Sequence, residues 1–66
     1  MKNSIRVERA IKSLTQEELA NKVSVSRQTI NAMEANKYVP STVLALKIAK
    51  VFGKQVEDIF TLEETD

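Results

Sequence analysis

Sixty-six residues allow one domain of the smallest kind, which buries only about 60% of its unfolded surface and is marginal by itself. The chain has no cysteine and no histidine, so disulfides, thiolate or imidazole metal sites and histidine-based acid–base chemistry are excluded. The net charge of +1 averages a basic body, ten Lys and Arg against four Glu in residues 1–56, with an acidic end, five Asp and Glu in residues 57–66; such a body suits an anionic partner or an ordinary wetted surface.

Met1 to Ser4 is short and polar, and Asn3 or Ser4 can cap a first helix. Val7, Ala10, Ile11 and Leu14 then recur at helical spacing, with Ile5 at the edge of that face. This apolar face is expected to meet the core, and Arg6, Glu8, Arg9 and Lys12 to lie mostly elsewhere. Ser13 ends the helix. Thr15 opens a second one: its hydroxyl can accept a backbone N–H, and Glu18, three residues on, can reach back to the Thr15 N–H, the spacing of a capping box. Leu19, Ala20 and Val23 share one face of it. Ser24-Val25-Ser26 breaks the pattern, and Ser26 can cap a third helix.

In that third helix Ile30, Met33 and Glu34 share one side, and Arg27, Gln28 and Asn31 share the other. A solvent-facing helix side is usually Lys and Glu. Here it is Arg, Gln, Thr and Asn, side chains that fit guanine, adenine and phosphate edges. On the residues alone two readings stay open, a face that reads nucleic acid and a face that is merely solvated.

Asn36 tolerates the left-handed conformation and can end the third helix. Pro40 biases Val39 to extended geometry. Ser41 caps a fourth helix running to Phe52, apolar nearly all round, with Lys47 and Lys50 as its wet edge. A helix that apolar is central to the core or shared with a partner. Gly53 ends it, Val56 to Phe60 forms a fifth, short helix, and Thr61 and Leu62 can pair with Lys2 and Asn3 as a tiny ladder.

The stretch Thr15 to Tyr38, TQEELANKVSVSRQTINAMEANKY, resembles the helix-turn-helix of Xre-type regulators, the superfamily of Cro and CI-type phage repressors. The resemblance runs from about Ile5 to Phe60. VSRQTIN, NKY with PS shortly after it, LALKIA and EDIF make the chain similar to very small stand-alone regulators resembling the cytolysin repressor. It implies an all-α, five-helix fold in one domain over residues 1–66, with the helix-turn-helix at 15–36. The family usually has glycine where this chain has Ser13 and Ser24, which puts local strain here without removing a contact.

The function implied is that of a homodimeric transcriptional regulator, of repressor type, bound to double-stranded DNA and using up the whole chain, with no effector domain. The third helix would lie in the major groove. Arg27 and Gln28 would read base edges, Arg pairing with guanine and Gln with adenine, and Asn31 would read adenine or hold phosphate. Ser26 and Thr29 would add hydroxyl contacts. Gln16, at a helix N-terminus, would meet a phosphate, and Asn36, Lys37 and Tyr38 would hold the backbone on the other flank. The resemblance also implies an ion pair between Arg9 and Glu34. A dimerisation segment is expected at about 53–62, with Val56 and Ile59 central and Val39 at the edge. The rival is a protein-interaction module of the same fold, such as an antitoxin.

No catalytic grouping is present in the sequence. The Ser and Thr residues have no histidine base, Glu17 and Glu18 point in different directions on a helix, and one glycine makes no phosphate loop. Neither enzyme activity nor a cofactor or metal is expected. No apolar run approaches the roughly 20 residues that span a bilayer, and no signal-peptide core is visible. A cytoplasmic chain without a membrane partner is expected.

Overall fold

Helix starts that answer free N–H groups and helix stops that turn left-handed lay out the architecture. The structure, a computed structural model, describes residues 1–66. It runs β1 (Lys2–Asn3), α1 (Ile5–Lys12), α2 (Gln16–Val23), α3 (Arg27–Glu34), α4 (Thr42–Phe52), α5 (Val56–Ile59) and β2 (Phe60–Thr61). The capping box of α2 is complete: Thr15 Oγ1 accepts the Glu18 N–H at 3.0 Å, and the Glu18 carboxylate accepts the Thr15 N–H at 2.9 Å. The Thr15 N–H, and after it the Thr15 hydroxyl, hold the Glu18 carboxyl below its usual range. Ser26 and Ser41 cap α3 and α4, accepting the N–H groups of Thr29 and Leu44 at 3.2 and 3.1 Å. At α1 the cap is Asn3, whose side-chain oxygen accepts the Ile5 N–H; Ser4 makes no such bond.

Four helices stop at a left-handed residue: Ser13 (φ 56°), Ser24 (φ 61°), Asn36 (φ 60°) and Gly53 (φ 66°). Only the last is free of a Cβ, so the two serines are held there at about 1 kcal/mol each. The stops aim the helices at one core. Leu19, Ala20 and Val23 of α2, Ile30 and Met33 of α3, and Leu44, Ile48, Ala49 and Phe52 of α4 fill it, sealed by Ile5, Ile59 and Phe60. The α2–α3 pair is the most closely packed, with α4 lying across α1, α2 and α5. No helix is long and apolar enough to cross a membrane.

Two expectations are corrected. The Val7–Ile11 face of α1 is not the buried one: Val7 is 58% and Ile11 65% exposed, and the helix buries Ile5 and Glu8, on a side turned roughly a third of the way round the helix. The cause is charge pairing. Glu8 accepts from the Lys54 ammonium at 2.8 Å, and Arg9 donates to Glu34, so the polar side of α1 faces inward. The terminal ladder forms one residue earlier than expected, with Lys2 opposite Thr61 and Asn3 opposite Phe60. A one-residue slip would turn the buried Phe60 ring outward, so the register follows Phe60 and leaves Leu62 in water. Beyond it the acidic end folds back, Glu63 and Asp66 accepting from the Met1 ammonium at 3.0 and 2.8 Å.

Candidate nucleic-acid interface

The buried back of α3 fixes what its front shows. Ile30 and Met33 have no exposed surface, so α3 cannot roll, and Arg27, Gln28 and Asn31 stand in solvent. Ser26 and Thr29 are more occupied than the sequence suggested. Ser26 Oγ takes the Thr29 N–H, and the two hydroxyls lie 3.0 Å apart in one hydrogen bond. Two hydroxyl protons serve one such bond, which leaves one proton to donate outward.

Gln16, the first residue of α2, is half-buried, and its amide NH₂ donates across to Glu34 at 3.1 Å and to Asn31 at 3.4 Å. Glu34 is the hub of this side. Its carboxylate is 1% exposed and receives Arg9 at 2.6 and 3.0 Å, in a two-point fork. Exposed Arg6 stands at 3.6 Å. Burial pushes the Glu34 carboxyl up, but the hydrogen bonds from Arg9 and Gln16 and the Arg9 charge outweigh it and hold the group below its usual range. The bond from Glu34 raises the Arg9 guanidinium further. Arg9 also donates to the Leu14 carbonyl at 2.9 Å, so one side chain ties α1, the turn after it and α3 together.

After α3, Asn36 turns left-handed and presents Lys37 and Tyr38. Lys37 is exposed, and Tyr38, half-exposed, borders a shallow cavity of about 220 Å³ with Val25, Ser41 and Val43. Among these side chains the structure joins Gln16 to Asn31 and Ser26 to Thr29, and leaves Arg27, Gln28, Lys37 and Tyr38 exposed.

Of the residues expected at a dimer contact, Val39 is 65% exposed and Val56 half-buried, but Ile59 is 1% exposed. Ile59 is corrected to a core residue: in so small a domain its side chain completes the core between α4 and α5. The large apolar side chains that α4 leaves in water are Val43 and Leu46. Sequence reasoning also missed Glu8–Lys54 and the inward turn of Gln16, since those partners lie 46 and 18 residues away and no local spacing announces them.

A helix-turn-helix family model matches residues 5–59. The chain belongs to that family, the Xre, Cro and CI-type helix-turn-helix domains, a DNA-binding class of transcriptional regulators. It is 56% identical over 66 residues to an uncharacterized HTH-type transcriptional regulator of Methanocaldococcus jannaschii, with both chains covered in full. Over 64 residues it is 50% identical to the uncharacterized HTH-type transcriptional regulator YgzD of Bacillus subtilis, covering 97% of each. A third such regulator, from Methanothermobacter thermautotrophicus, is 51% identical over 65 residues, covering 97% of this chain and 94% of the relative.

Proposed function

We propose that the chain acts as a two-fold homodimeric repressor that reads a pseudo-palindromic operator through the major groove, one α3 in each half-site. The observation that supports this best is the front of α3: Arg27, Gln28 and Asn31 stand exposed on a helix whose back is wholly buried. Fork-shaped side chains on an immobile helix discriminate bases, each good bidentate pair contributing about 1–3 kcal/mol. Arg27 reads guanine and Gln28 adenine. Asn31 reads adenine or holds phosphate, with its side-chain oxygen steadied by Gln16. Ser26 and Thr29 supply the remaining hydroxyl proton to the backbone. The free N–H groups at the start of α2, beside Gln16, meet one phosphate, and Asn36, Lys37 and Tyr38 meet the backbone on the opposite flank.

A single eight-residue helix reads only a few base pairs, so a two-fold pair with half-sites about 34–36 Å apart is needed for specificity. Val39 and the half-buried Val56, with Val43 and Leu46 of α4, offer the apolar surface for that pair.

Selection from a random duplex pool tests the reading. The expected product is a pseudo-palindrome with half-sites about one helical turn apart; a pool without an enriched sequence overturns it. Arg27→Ala should relax preference at one position per half-site and lose about 1–3 kcal/mol of specific binding. Transcription from a promoter carrying the selected site should fall as protein is added. Sedimentation at micromolar concentration should give a dimer that Val39→Asp or Val56→Asp dissociates, and a wild-type chain at single-chain mass would remove the two-fold arrangement.

A further inference from the structure

Asn3 lies outside every element proposed to touch DNA, yet its side-chain amide is aimed at the end of α3. Its Nδ2 donates to the Met33 carbonyl at 2.8 Å and to the Asn36 side-chain oxygen at 3.3 Å, while its Oδ1 accepts the Ile5 N–H at 3.2 Å. Only this orientation of the amide works, because the reverse would set oxygen against two oxygens and NH₂ against an N–H. The Met33 carbonyl is among the last four of α3, which lack partners inside the helix. It also takes the Asn36 N–H at 3.0 Å, and the Lys37 N–H closes back on the Ala32 carbonyl at 2.8 Å. Asn3 thus brackets Asn36, the left-handed residue at which the chain leaves α3 and enters the Lys37–Tyr38 loop.

The bracket is itself anchored. Asn3 sits in β1 opposite the buried Phe60, and the next residue, Ser4, donates its N–H to the Ile59 carbonyl at 3.0 Å. The ladder therefore ties the end of α5 to the end of α3 through one side chain. From this geometry we infer that Asn3 is a positioning residue for DNA binding, holding Asn36 to Tyr38 where Lys37 meets the phosphate backbone. The inference rests on the reading of Lys37 as a phosphate contact. A lysine ammonium displaces a counterion only while it stays at its phosphate, so freeing the loop lowers the number of ions released without touching the base-reading face.

Asn3→Ser separates the two jobs of the residue. Serine retains a short acceptor for the Ile5 N–H but cannot span to the Met33 carbonyl. Binding would be measured to the selected operator and to an unrelated duplex over a salt series. The expected result is roughly tenfold weaker binding to both and a salt slope reduced by about one unit per protomer. Asn3→Ser/Lys37→Ala should lose clearly less than the sum of the two single losses, since both act on the one Asn36–Tyr38 loop. A merely structural role would lower the melting temperature and leave the salt slope alone. An unchanged slope, or losses that add in the double variant, overturns the inference. Should the variant not fold, amide exchange of the wild-type chain decides: the Asn36 and Lys37 N–H groups should open together with the β1–β2 ladder, and independent opening overturns the inference. A wild-type chain that binds no duplex removes the DNA reading itself, whereas wild-type binding with an unaffected Asn3→Ser removes only the role of Asn3.

Discussion

Helices α1 and α2 have eight residues each and stop in the same way, at a left-handed serine, but different forces attach them. α2 is held by its apolar face: Leu19, Ala20 and Val23 are buried, and its capping box lies outside in water. α1 is held by charge. Ile5 is its one buried apolar side chain, Glu8 and Arg9 reach inward to Lys54 and Glu34, and Val7 and Ile11 stay wet. Apolar periodicity locates the buried face of a helix when burial is the only force turning it. Where long charged side chains find partners across the core edge, the same periodicity points the wrong way.

Substitutions can break or sharpen that contrast. The largest effect expected is Leu19→Ala, which removes the fully buried anchor of α2 and should cost about 3 kcal/mol in a denaturant melt. A loss under about 1 kcal/mol would mean that α2 is not held by its apolar face.

Next comes Glu34→Gln, which strands Arg9 and should cost about 2 kcal/mol, well above the cost of Glu17→Gln at an exposed position. This effect carries a pH signature. Burial pushes Glu34 up but its hydrogen bonds and the Arg9 charge hold it below the ordinary 4.5, so the folded state favours the ionised form. The stabilisation is therefore complete above about pH 4.5 and is lost as pH falls through the lower folded-state midpoint. The gap between wild type and Glu34→Gln should close on acidification, and a gap that stays constant to pH 3 would assign the loss to something other than the carboxylate.

Ser24→Gly should act in the opposite direction, stabilising by up to about 1 kcal/mol through relief of the positive φ at the end of α2, read as a rise in the melting midpoint. Smallest of all, Val7→Thr and Ile11→Thr should each change monomer stability by no more than about 0.5 kcal/mol. A substantial loss at either would restore the apolar face of α1 as its attachment.

These contrasts also explain how much could be read in advance. Features settled within one turn of helix were legible: the Thr15–Glu18 box, the caps at Ser26 and Ser41, and the left-handed stop at Asn36, while those at Ser13 and Ser24 came with the family resemblance. The split of α3 into an apolar back and a hydrogen-bonding front was legible too, because the 3.6-residue period carries it. The Arg9–Glu34 pair came only with the family resemblance. Lys54 on Glu8, Asn3 on Met33 and Gln16 on Glu34 were not legible, since their meeting depends on the packing of whole helices. Ile59 was misplaced for a related reason. An apolar residue on a one-turn helix fits a core or a contact equally well until the neighbouring volume is known.

The ladder has a kinetic consequence. Lys2 meets Thr61 across nearly the entire chain, whereas α2 meets α3 across a turn of three residues. Loop-closure entropy makes the first contact the more costly to form, and topology places such contacts late in folding. A two-residue pairing at the end of the route is also the cheapest part to reopen, since it has few hydrogen bonds to break and can part while the Ile59 and Phe60 side chains stay in the core. The excited state nearest to the native one is then a chain whose α2–α4 core is intact and whose ends are undone. In that state α3 still stands on its buried back, but its exit has lost the amide that brackets Asn36. Exchange broadening in nuclear magnetic resonance spectra, confined to residues 1–4, 36–38 and 59–61, would reveal it. On the proposed DNA reading, base reading by α3 and backbone grip by the 36–38 loop would thus fail at different free energies, the grip first.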